Sequence, residues 1–253
     1  MCFRPSGYSL QPIALFMSSR SVASALGQVG YALLAPCEFA QTLDLELGAL
    51  EPLRASWDDL PRDAYLRDGG KYRSRRHSCF IQSLPSEVAP TPHRAHWQST
   101  DYNALHGGIE RWFEPIVPAV AAHPAWLRML AGFGTLFGAL RATPRWFIEA
   151  HQFRIDTAEG IGRPTPEGAH RDGVDFVVVM LIQRRDVRGG ETRVFQARGN
   201  AGVRFTMTEP WTALLLNDAD VIHETTPIQP DVTPGVRDTL VITYRADGFQ
   251  APE

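Results

Sequence analysis

Apolar positions follow two different periods along this chain, and the change between them falls near residue 145. In the first half, "SVASALGQVGYALL" (Ser21–Leu34) spaces its apolar residues three to four apart behind a Ser cap, which predicts a helix interrupted at Gly27 and Gly30. "PLRASWDDLP" (Pro52–Pro61) predicts a second, short helix. "GGKYRSRRHSCFIQSL" (Gly69–Leu84) opens on Lys71, Arg73, Arg75 and Arg76 and then turns apolar, so its end predicts a strand. Beyond the proline-rich break Pro85–His93, the segment Gly107–Pro144 keeps helical spacing on both sides of His123–Pro124 and predicts two helices.

The second half reads differently. Arg145–Asp156, Val174–Arg184, Glu191–Phe195, Gly202–Met207, Thr212–Asn217, Val221–Ile228 and Arg237–Arg245 are β-branched or aromatic runs separated by Gly, Pro, Asn and Asp. Short strands at close intervals, with no helical pattern between them, predict an antiparallel sandwich or barrel. The expected architecture is mainly β with flanking N-terminal helices, forming a single catalytic domain over residues 1–253. Within it, residues 1–20 are expected to be a flexible extension, with Met17 an alternative start. Residues 21–144 are expected to be a mostly helical flank with lid elements, and 145–245 the β core.

Composition narrows the function classes. A net charge of −3, with 44% hydrophobic and 21% charged residues, is that of an ordinary globular protein, and no basic run suggests nucleic acid or a membrane surface. No segment approaches the apolar length of a membrane span, and the N-terminal apolar run lacks the cleavage site of a signal peptide. Cys2, Cys37 and Cys79 lie far apart with no CxxC spacing, which fits a reduced cytoplasm.

Candidate chemistry centres on "AHRDGVDF". If that stretch is extended, His170 and Asp172 share one face and Arg171 points away. Alone the pair fits a polar turn, its histidine hydrogen-bonded to a nearby carboxylate, better than a metal site. His223, in "LLLNDADVIHETTPI", by itself reads as a core histidine rather than a ligand. Together, two histidines and a carboxylate on a β scaffold match the facial triad that holds Fe(II) and leaves positions open. Arg237 starts the strand "RDTLVITYR" fourteen residues after His223, with Thr239 and Val241 on its side. It suits bidentate binding of a carboxylate, although a surface ion pair with Asp238 or Glu224 is the commoner use of such an arginine.

The order "HRDGVDFVVVMLI", "RGGETRVF", "LLLNDADVIHETTPI", "GVRDTLVITYR" resembles the bacterial Fe(II)/2-oxoglutarate dioxygenases related to L-isoleucine dioxygenase, which hydroxylate free amino acids. "DGGKYRSRRHSCF", "YNALHGGIERWFEPI" and "HQFRI" extend the resemblance over roughly residues 65–245. It implies a double-stranded β-helix, the jelly-roll or cupin-like core. It further implies Fe(II) on His170, Asp172 and His223, and 2-oxoglutarate anchored by Arg237 with Thr239. O2 would be the second co-substrate, and succinate and CO2 the released products. Asp172, where related halogenases have a small residue, points to hydroxylation. The expected partner is a small molecule, a free L-amino acid, rather than nucleic acid or membrane. Substrate contacts are expected from Gln152 and Arg154, which share a face of "HQFRI", and from Arg75, Tyr102 and Asn103. Arg111, in the same loop-to-helix segment as Tyr102 and Asn103, is a further lid candidate. His77, His93, His96, His106 and His123 show no carboxylate at ligand spacing and are expected to be structural or exposed. Two other classes fit the same scaffold: a cupin-like isomerase or hydrolase, and a non-catalytic small-molecule binder.

Overall fold

The computed structural model describes residues 9–12, 19–83, 85, 87–103, 105–231 and 235–252. The strands are β1 (Ser9–Pro12), β2 (Tyr31–Leu34), β3 (Arg73–Ser83), β4 (Glu87–Pro90), β5 (Arg145–Asp156), β6 (Phe176–Arg185), β7 (Val187–Gly189), β8 (Thr192–Gln196), β9 (Ala201–Phe205), β10 (Ala213–Asn217), β11 (Val221–Thr225), β12 (Ile228–Pro230) and β13 (Val236–Arg245). The helices are α1 (Ser19–Gln28), α2 (Pro36–Leu43), α3 (Pro118–Ala121) and α4 (Pro124–Gly138). A major sheet in the order β2-β10-β6-β13-β5-β3-β4 faces a minor sheet in the order β1-β9-β8-β11, and β12 pairs with β7 in a short ribbon. This is the expected jelly roll.

The apolar run of β6 is continuous because both of its faces are covered. Phe176, Val178, Met180 and Ile182 join the helix-side core, whereas Val177 and Leu181 pack between the sheets with Val194, Val203, Leu214 and Leu216. Each such side chain contributes about 1.5–3 kcal/mol by leaving water. On the helix side, α4 buries Trp126, Met129, Leu130, Phe133 and Phe137, and the Phe137 ring stacks on Phe176 with centroids 4.4 Å apart. Gly134 lets α4 press onto the sheet, since a Cβ there would come within 1.8 Å of Gln82 Oε1.

Three expectations change. The helix over Ser21–Leu34 ends at Gln28, and Tyr31–Leu34 instead pairs antiparallel with β10. Gly30, at φ +82°, makes the reversal, and a Cβ there would lie 2.7 Å from Val221 Cγ1. The stretch 21–144 is less helical than expected because, besides the expected strand at β3, it supplies β2 and β4 to the major sheet. Residues 107–117 are not helical: Pro115 and Pro118 restrict the backbone, and Arg111 instead pairs with His96 through two backbone hydrogen bonds of 2.9 Å. The extension 1–20 lies mostly outside the described residues, but Ser9–Pro12 pairs parallel with β9, and Ser19 begins α1.

Candidate active site

Between the sheets lies a cavity of about 120 Å³. One wall is the inner face of the major sheet. Arg237, Thr239, Val241 and Thr243 of β13 lie beside Ile155, Phe153, His151 and Glu149 of β5, which lie beside Arg73, Arg75, His77 and Cys79 of β3. A bulge in β6, between its pairings with Asp238 and Thr239, restores the facing so that Arg184 sits opposite Arg237.

The other wall carries His170, Asp172 and His223, whose ligand atoms all lie within 4.8 Å of one another. Nε2 of His170 and Nε2 of His223 stand 3.8 and 3.7 Å from the two oxygens of Asp172. The "HRD" segment starts from an antiparallel bridge, with backbone hydrogen bonds of 3.0 Å in both directions between His170 and His223, and leads into a turn at residues 173–175. Asp218, which carries no ligand signal in the sequence, holds that turn. Its carboxylate accepts the backbone N–H groups of Asp172, Gly173 and Val174 at 3.0, 2.8 and 3.2 Å. Arg171 points away, as expected, donating to the carbonyl of Asp218.

Electrostatics separate the two imidazoles. Burial, reinforced by His170, pushes His223 down to about 3. Burial would lower His170 too, but the Glu167 and Asp172 carboxylates outweigh it and raise the group. Neutral imidazoles and an ionised carboxylate are the forms a divalent metal requires.

Arg237 fits an anion. It is buried, and its Nε and one terminal nitrogen have no partner among the described residues. The expected alternative, an ion pair with Asp238, does not form, because Asp238 faces the opposite side and binds Arg154. Burial, with the Arg184 cation nearby adding to it, lowers Arg237 to about 10, still a cation at neutral pH. A buried, unanswered guanidinium is costly unless a carboxylate enters. The donor set and this orphaned cation fit Fe(II) with a dicarboxylate co-substrate.

The expected substrate contacts divide. Arg75 and Asn103 line the cavity. Gln152 and Arg154 do not: strand alternation turns them outward, Gln152 onto the Ser56 hydroxyl at 2.7 Å and Arg154 onto Asp238 and Asp58. Tyr102 is 40% exposed and covers Gly173 rather than reaching the cavity. His77 and His96 do have a carboxylate, because Glu149 comes from the neighbouring strand. Its Oε2 accepts from His77 Nε2 at 2.9 Å and from His96 Nδ1 at 2.7 Å. Arg111, Gln98 and Glu167 also line the cavity. Gln98 links the two walls, donating to Asp172 Oδ1 at 3.4 Å and accepting from Arg111 at 3.0 Å and Asn103 at 3.2 Å.

The 2OG-Fe dioxygenase family model matches residues 54–243. The chain is similar to a bsmA homolog from Methylobium petroleophilum PM1, with 51% identity and a TM-score of 0.91 over 97% of this chain and 100% of that one. IDO from Bacillus thuringiensis gives a TM-score of 0.75 at 19% identity, covering 91% of this chain and 100% of that one. The Fe(II)/(alpha)ketoglutarate-dependent dioxygenase TqaL gives 0.70 at 16% identity, covering 93% and 92%. At such identities these two share the fold alone. No curated protein matches the chain in sequence. The chain belongs to the 2OG-Fe dioxygenase family and is an enzyme using Fe(II), 2-oxoglutarate and O2.

Proposed function

We propose that this enzyme hydroxylates an unactivated C–H bond of a small molecule, a free L-amino acid, as the relatives of L-isoleucine dioxygenase do. His170, Asp172 and His223 hold Fe(II) through Nε2, a carboxylate oxygen and Nε2. Arg237, with the Thr239 hydroxyl beside it, takes the distal carboxylate of 2-oxoglutarate. One catalytic domain spans the chain and works in a reducing cytoplasm, in keeping with the free thiols of Cys37 and Cys79. Among the described residues, no helix is long and apolar enough to cross a membrane.

The observation that carries this reading is the pairing of a ligand triad on one wall with an unpartnered, buried Arg237 on the other. With iron and co-substrates bound, the centre supplies the oxidation that splits 2-oxoglutarate into succinate and CO2. The chain's own residues do the rest. Asp218 fixes the turn that presents Asp172. Gly168 accepts from His170 Nδ1 at 2.9 Å, which leaves Nε2 free as a ligand. The apolar rims of Phe153, Ile155, Val179 and Val241 keep water from the reacting carbon.

The test is a screen of L-amino acids for a product heavier by one oxygen atom, formed together with succinate. A product with His170, Asp172 and His223 intact, and none with His223→Ala, is expected. Succinate and product formation that survive His223→Ala would overturn the ligand assignment. A screen in which only non-amino-acid substrates gain oxygen would overturn the substrate class.

A further inference from the structure

The cavity wall formed by β3, β5 and residues 96–111 carries an unusual set of charges. Arg73, Arg75 and Arg111 all line the cavity and are all buried. Asp63, which lies outside the lining, answers Arg73 with a 2.7 Å bond from Nε. Arg75 is clamped between the rings of Phe113 and Phe153, with its guanidinium carbon 3.8 and 4.4 Å from their centres, and its terminal nitrogens meet His151 Nδ1 at 2.7 Å and the same Asp63 at 3.8 Å. Arg111 gives one terminal nitrogen to Gln98. The Nε groups of Arg75 and Arg111 have no partner among the described residues.

Glu149 is the carboxylate set against these cations. Its two imidazole donors both use Oε2, so Oε1 is left for the cavity that the residue lines. The donors are uncharged. Burial, only partly offset by Glu149, lowers His96 to about 3, and burial likewise lowers His77. His151 stacks on His77 at 4.5 Å, and burial keeps it neutral as well. Neutral N–H donors hold a carboxylate ionised without cancelling its charge. The wall therefore presents, side by side, a guanidinium that bonds no anion among the described residues, Arg111, a second, Arg75, whose Nε is still unpartnered there, and a carboxylate held only by neutral donors. Arg111 and Glu149 are within electrostatic range of each other yet form no ion pair. That separation suits a zwitterion inserted between them. Val174, Val179 and Val241 form an apolar surface on the rest of the lining.

We propose that this wall reads the head group of an α-amino acid. Arg111 and Arg75 bind its carboxylate, Glu149 Oε1 binds its ammonium, and an uncharged apolar side chain lies along the valines toward the metal ligands. The inference rests on the free amino acid reading and adds the residues and side-chain class that select the substrate. Glu149 is then a binding residue, and His77 and His96 are positioning residues that aim it.

The test is calorimetric binding to the anaerobic protein loaded with Fe(II) and 2-oxoglutarate. A panel of common L-amino acids comes first, then the tightest binder beside its amine lacking the carboxylate and its acid lacking the amino group. For the wild-type chain, an apolar amino acid is expected to bind best, and loss of either charge is expected to weaken binding by about 100-fold. In Glu149→Gln the amino acid should fall to the affinity of its des-amino analogue, and that analogue should bind no more weakly than before. In Arg111→Gln the same relation should hold for the amine. An amino acid that binds no better than its des-amino and decarboxylated analogues would overturn the proposal and leave the amino acid reading standing. Equal losses for both ligands in Glu149→Gln would do the same. Absence of binding by every amino acid would overturn the reading and the proposal together. The wild-type comparison needs no variant, so a poorly folded Glu149→Gln protein does not block the test.

Discussion

Arg75 donates from a terminal guanidinium nitrogen to Nδ1 of His151 at 2.7 Å. An arginine has no acceptor, so Nδ1 carries the lone pair and Nε2 of the neutral ring carries the hydrogen. His77, His96, Glu149 and His151 are close enough together to hold a metal. The bond to Arg75 argues against it, because Nε2–H of His151 then points into the cluster as a donor. One divalent metal per chain is therefore expected when the metal-free protein is titrated with Co(II) and followed by its visible spectrum. Saturation at two equivalents would show that the histidine cluster is a second metal centre.

Arg237 has no carboxylate partner among the described residues, so its contribution should show in co-substrate binding. Arg237→Gln is expected to weaken 2-oxoglutarate by about 3 kcal/mol, roughly 100-fold, with Fe(II) affinity unchanged. Pyruvate, which has the 2-oxo acid but no distal carboxylate, should bind the two proteins alike. An equal loss for pyruvate and 2-oxoglutarate would place the anchor elsewhere.

The buried histidines make stability fall on acidification. An imidazole in the unfolded chain titrates near 6.5, whereas His96 in the folded protein takes a proton only at about 3, and burial holds His77 and His151 below their usual value. Below pH 6.5 the unfolded state thus binds more protons, so stability is present above that pH and is lost as pH falls. Three such groups give a slope of up to about 4 kcal/mol per pH unit. His170, raised, and His223, lowered, act in opposite directions. Urea midpoints of the metal-free protein should be clearly lower at pH 5.5 than at pH 7.5. Equal midpoints would mean that the cluster is already protonated in the fold.

Gly173 follows Asp172 at φ +74°, and a Cβ there would come within 2.4 Å of the Tyr102 ring. Gly173→Ala is expected to cost about 1–3 kcal/mol and to loosen the turn that presents Asp172. Its thermal midpoint and its Fe(II) affinity should drop together. Removing the obstructing ring as well, in Gly173→Ala/Tyr102→Ala, should recover part of both. A Gly173→Ala protein with wild-type metal affinity would show that Asp218 alone sets the turn.

Read without the fold, the sequence determines the β-rich second half and the break in period near residue 145, because alternation along a strand and turn residues are local rules. It also singles out His170, Asp172, His223 and Arg237 by residue type, and the fold brings these four to one cavity. The face of β5 that meets the cavity is not local. Arg145–Asp156 is covered on both sides, by the helices and by the opposite sheet, so burial gives its alternation no sign. The sequence reading accordingly turns Gln152 and Arg154 toward the substrate, the face opposite the one that carries Glu149 and His151. Only the placement of β3 beside β5 decides between them, by setting Arg73, Arg75 and His77 against Ile155, Phe153 and His151. The same holds for Asp218 and Arg111, whose partners are separated from them by many residues of chain. Ligand types can be read residue by residue. Which charges are left unpaired in a closed space depends on every strand that surrounds it.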